Sequence, residues 1–72
     1  MSNTATNQNV VGRKLKTLRG NKSLEQVAKD TGISRSALNM YELGKRIPRD
    51  MKKIILAEYY GKSVEEIFFC SE

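Results

Sequence analysis

Arg35, Ser36 and Asn39 offer the most specific chemistry in the chain. At about 100° per residue they share one side of a helix with Met40 and Leu43, while Ala37, Leu38 and Tyr41 fall on the other. A guanidinium presents a fork of donors that fits the N7 and O6 acceptors of guanine, and a carboxamide both donates and accepts, as the N6 and N7 edge of adenine requires. Ser36 can serve a base edge or a phosphate, and Met40 can lie against a thymine methyl. This is chemistry for reading a surface, not for making bonds. An ordinary exposed helix carries the same residue types, so the face gains meaning only from what flanks it and holds it.

Bond-making chemistry is poorly provided for. The 72 residues include no His and a single Cys, Cys70. A metal cluster and an internal disulfide are therefore not expected, and nothing sets a base beside a serine or lysine nucleophile. The expectation is a protein without catalysis, metal or cofactor. No apolar run approaches the ~18 residues of a membrane span, and the first residues lack the basic start and apolar stretch of a signal peptide. A lone Cys suits a reducing compartment, so a cytoplasmic location is expected. The length allows one domain, with no recognisable region for a small-molecule effector.

The charge is uneven. Residues 11–53 hold twelve Lys and Arg against four acidic residues, whereas residues 54–72 hold Lys62 against four glutamates. A basic region of this kind suits a polyanion such as double-stranded DNA. Two groups lie where backbone phosphates could be met: Asn21, Lys22, Ser23 and Leu24 at the start of a second helix, and Lys45, Arg46 and Arg49 beyond the third. Helix N-termini offer free amides and partial positive charge to phosphate. Such contacts set register and affinity without reading sequence.

Stop signals divide the chain into a polar tail and five short helices. Residues 1–9 are rich in Ser, Thr, Asn and Gln, which predicts a disordered tail. The first helix spans about residues 10–19, with Val11, Leu15 and Leu18 on one face and Gly20-Asn21 ending it. Ser23 and Gln26 predict a capping box at the start of a second helix over about 24–31, buried through Leu24, Val27 and Ala28 and stopped by Gly32. Ser34 caps a third over about 35–43, closed by Gly44 before Pro48. A fourth follows Asp50 and ends at Gly61. Ser63 and Glu66 predict a second capping box opening a fifth, which fades near Phe69. The fold class is all-α. Two helices separated only by Gly32-Ile33-Ser34, the first barely two turns long, read as a helix-turn-helix, with Ala28 small enough for a close crossing and Ile33 and Leu38 filling the angle.

The pattern Ala28, Gly32, Leu38, Tyr41-Glu42, Gly44-Lys45-Arg46 and Pro48 resembles the Cro/repressor-type (XRE-type) helix-turn-helix family. The similarity reaches back to Val11 and forward to Phe69. The resemblance implies a compact five-helix bundle of the phage-repressor DNA-binding-domain type, from a bacterial or phage transcriptional regulator, with Arg35, Ser36, Asn39 and Met40 facing bases. It also implies that Arg19 pairs with Glu42, and that the protein binds palindromic operators as a homodimer. Two features depart from the family. Leu24 stands where a phosphate-contacting Gln is common, and the link from Gly20 to Lys22 is short. On the fourth helix Leu56, Ala57 and Tyr60 are expected in the core. Met51, Ile55 and Tyr59 form a second apolar face which, with Phe68 and Phe69, is expected to be the dimer interface. An antitoxin or restriction-modification controller that regulates its own operon fits the same residues, as does an interaction module that has lost DNA binding.

Overall fold

The computed structural model describes residues 4–69, with side chains from Gln8 to Phe69. In chain order it contains α1 (Thr4–Arg19), α2 (Leu24–Thr31), α3 (Arg35–Glu42), α4 (Asp50–Tyr60) and a fifth, single-turn π-helix, α5 (Glu65–Phe69). Among the described residues there is no strand.

The core is assembled from one stripe of each helix. Val10, Val11 and Leu15 enter from α1, Val27 from α2, Leu38 and Tyr41 from α3, Leu56 and Ala57 from α4, and Ile67 and Phe68 from α5. Ile33, in the turn between α2 and α3, is 2% exposed. A turn residue buried this deeply pins the angle between the two helices, because moving it would open a void that costs several kcal/mol, about 2–5 for loss of an Ile side chain. Ala28, half-buried, packs against the same cluster. Gly32 closes α2 at φ +77°, a backbone state that glycine adopts without a Cβ clash.

Two local expectations are revised. Helix α1 starts at Thr4 and takes in residues 4–9, ahead of the expected start near Val10; residues 1–3 lie outside the described set. These polar residues carry no apolar periodicity, yet Gln8 and Asn9 run alongside Gly44: a Cβ on Gly44 would lie 2.6 Å from Asn9 Oδ1 and 3.3 Å from the Gln8 carbonyl oxygen. The first capping box is half made. Ser23 Oγ accepts from the Gln26 amide at 3.0 Å, but the Gln26 carboxamide donates to Asp30 at 2.8 Å and does not reach back to Ser23. The second box is complete: the Ser63 amide donates to Glu66 Oε1 at 2.8 Å, and the Glu66 amide to Ser63 Oγ at 3.0 Å. That pairing, above all the hydrogen bond from the Ser63 amide, holds the Glu66 carboxyl below its ordinary pKa.

Candidate nucleic-acid interface

Helix α3 is short, and its capping decides where it starts. Ser34 Oγ accepts from the Ala37 amide at 3.1 Å, so the next residues, Arg35 and Ser36, form the first turn. With Ala37 turned inward and Leu38 and Tyr41 buried, Arg35, Ser36 and Asn39 are left exposed and Met40 half-buried. None of the Arg35, Ser36 and Asn39 side chains is held by a hydrogen bond or ion pair among the described residues. Leu43, 54% exposed, extends the same face at the C-cap.

The opposite end of α3 is held firmly. Arg19 forms a two-point fork on Glu42, Nε donating to Oε2 at 2.8 Å and Nη2 to Oε1 at 2.9 Å. The two side chains are only 17% and 9% exposed, and the hydrogen bond to Glu42 raises the Arg19 pKa. Tyr60 lies nearby; burial first, then the Glu42 charge, pushes its phenol up to about 12, so it adds no charge to the pair. Gly12, buried in α1, supplies the closest approach. A Cβ there would collide with the Glu42 carbonyl oxygen and lie 2.9 Å from that of Tyr41. Only a residue without a side chain lets α1 lie this near the end of α3. Gly12 escapes sequence reasoning because an interior helix glycine looks like a flaw in propensity; its place one residue after the apolar Val11 was the available signal.

The cationic flanks sit on both sides of α3. Lys45 and Arg46 follow its C-cap, and Arg49 is the N-cap of α4. All three are exposed and unengaged among the described residues. Arg46 and Arg49 rim a groove floored by Tyr41, Ile47 and Ile55, joined by Lys52, a cation that sequence reasoning passed over. On the other side, Asn21, Lys22 and Ser23 are exposed at the start of α2. Leu24 is half-buried against the core, so at the position where the family often carries Gln this side chain is used for packing. Lys22 does not extend freely; its ammonium lies 4.7 Å from the centre of the Tyr59 ring and donates to the Tyr59 hydroxyl at 3.1 Å.

The expected apolar interface is redistributed. Phe68 is 9% exposed and belongs to the core, and Ile55 is half-buried against it. Tyr59 is taken by Lys22 and by Asp30, to which its hydroxyl donates at 2.6 Å. Those three residues therefore do not form an open patch. Met51 and Phe69 are exposed, at 68% and 65%, and so is Ile54, which sequence reasoning missed although it lies three residues, one helical turn, from Met51. Cys70 lies outside the described residues.

A short capped helix with a free polar face, joined to α2 by a three-residue turn that Ile33 pins to the core, and flanked by cations, defines a helix-turn-helix DNA-binding domain. The helix-turn-helix family matches residues 13–67, and the chain belongs to that family, of the Cro/repressor (XRE) type; it is a DNA-binding transcriptional regulator. No curated protein and no solved structure matches it. No helix among the described residues is long and apolar enough to cross a membrane.

Proposed function

We propose that the chain is a repressor that binds a palindromic operator as a homodimer, with α3 of each protomer in the major groove. The observation that carries this reading is the free Arg35, Ser36 and Asn39 face at the N-terminal end of α3, the end that reaches base edges in this class of domain. Arg35 takes guanine, Asn39 takes adenine, Ser36 takes a base edge or phosphate, and Met40 borders a thymine methyl. Asn21, Lys22, Ser23 and the Leu24 amide grip one stretch of backbone, and Lys45, Arg46 and Arg49 another. Repression follows from occupying a promoter and needs no reaction. Dimerisation uses Met51 and Ile54 on α4 with Phe69, the exposed remainder of the apolar surface.

Selection of bound sites from a random duplex pool tests the reading. The expected result is an inverted repeat with half-site centres about one turn, ~34–36 Å, apart. With four to six phosphates neutralised per subunit, affinity should fall with salt at a log–log slope of about −0.9 for each. Enrichment of no sequence, or a flat salt dependence, overturns it.

A further inference from the structure

Tyr59 of α4, distant in sequence, meets Lys22 and Asp30 beside α2. Tyr59 of α4 donates its hydroxyl to Asp30 Oδ2 at 2.6 Å and accepts from the Lys22 ammonium at 3.1 Å, with that ammonium also over its ring. Asp30 is steadied by Gln26, whose Nε2 donates to Oδ1 at 2.8 Å. At its other end, Lys22 is held by Arg19, whose Nη1 donates to the Lys22 carbonyl at 2.7 Å. Lys22 is thus fixed at backbone and tip while remaining exposed.

We propose that Tyr59 is a positioning residue for DNA binding, holding the Lys22 ammonium ready for a backbone phosphate beside the N-terminus of α2. The proposal rests on the reading of Lys22 as a phosphate ligand. An ammonium has three donors, and Tyr59 uses one. Ordering a free lysine side chain costs affinity on the order of tenfold, a loss avoided when the side chain is already placed. Tyr59 also works as a spacer. Asp30 is close enough to Lys22 for the two charges to interact, and the Tyr59 hydroxyl comes between them; its hydrogen bond, foremost, keeps the Asp30 carboxyl below its ordinary pKa. Without that spacer Lys22 can close on Asp30 and be neutralised inside the protein. The same arrangement accounts for the half-made capping box. Because Gln26 is drawn to Asp30, it does not cover the Ser23 amide, and the phosphate approach stays open.

The salt dependence of binding separates positioning from simple packing. Full-length chain is titrated onto a duplex selected from the random pool, for wild type, Lys22→Gln, Tyr59→Leu and the double variant, with thermal unfolding alongside. Lys22→Gln should flatten the log–log slope by about 0.9 per subunit. Tyr59→Leu should flatten it equally and weaken binding about tenfold, and the double variant should show no further change. Tyr59→Phe, which keeps the ring under the ammonium, should fall between wild type and Tyr59→Leu. If Tyr59→Leu lowers the melting temperature but leaves the wild-type slope, the positioning role is overturned while the phosphate role of Lys22 stands. A wild-type slope for Lys22→Gln overturns the phosphate reading itself. Should Tyr59→Leu fail to fold, Tyr59→Phe alone carries the comparison, and a wild-type slope and affinity for it overturn the proposal.

Discussion

The two ends of α3 are built on opposite principles. At the N-terminal end, Arg35 and Ser36 rest on one serine cap, and their side chains make no hydrogen bond or ion pair among the described residues. At the C-terminal end, Glu42 is forked by Arg19, its carbonyl lies under Gly12, and Tyr41 is 4% exposed. Within eight residues the helix passes from groups left free for a partner to groups consumed by the fold. The anchored end sets the direction in which the free end projects. Recognition can change by substitution at the tip without disturbing the bundle, whereas a change at the anchor should alter stability and binding together.

The sharpest test of that separation removes the tip. Arg35→Ala with Asn39→Ala deletes the two groups proposed to read bases, each worth about 1–3 kcal/mol of discrimination if it does. Preference for the selected site over random duplex should fall by a hundredfold or more, read by competition binding. Unfolding should shift by no more than about 0.5 kcal/mol, as for other exposed positions. A marked loss of stability would mean that the tip is not free, and unchanged preference would mean that it does not read DNA.

The complementary test strikes the anchor. Gly12→Ala should gain up to about 1 kcal/mol of helix propensity. It also drives a methyl against two backbone carbonyls that cannot rotate away, and overpacking of this kind costs about 1–3 kcal/mol. The clash should win because a methyl set against the Glu42 carbonyl oxygen requires α1 or α3 to move bodily. Net destabilisation of about 1–2 kcal/mol is expected in denaturant unfolding. DNA affinity should drop for all sites together, since a tilted α3 misplaces every contact. A stabilised Gly12→Ala variant would show that α1 does not set the position of α3.

The contrast also marks what sequence could reveal. The free face was legible because it follows from helical geometry and one cap: once Ser34 starts the helix, Arg35, Ser36 and Asn39 must share a side. The family pattern made the overall layout equally plain. What could not be read was anything that depends on a distance between helices. Gly12 matters only because α3 lies against it. Tyr59 and Phe68 looked like surface residues since the fourth and fifth helices are short and their rotation about their axes is set by packing, not by period. Gln26 had two partners within about one turn, Ser23 behind and Asp30 ahead, and it is Asp30 that it takes, the carboxylate that Tyr59, distant in sequence, also engages. Gln8 and Asn9 likewise lie beside Gly44, a neighbour distant in sequence, and not on an apolar stripe of their own.

The finest probe of the comparison is Glu42→Gln, which keeps the shape and one hydrogen bond but removes the charge from the Arg19 fork. The pair is only 17% and 9% exposed, so it should exceed an open surface bridge, yet it is not sealed from water. A loss of about 1 kcal/mol in unfolding follows, at the top of the range for exposed pairs. Because Gly12 still sits on the Glu42 carbonyl, α3 should keep its direction. The selected DNA sequence should then be unchanged and affinity only slightly reduced. Were Glu42→Gln to change which bases are preferred, the side-chain fork rather than the backbone contact at Gly12 would be what aims the helix, and the anchored end would have to be counted as part of the reading surface.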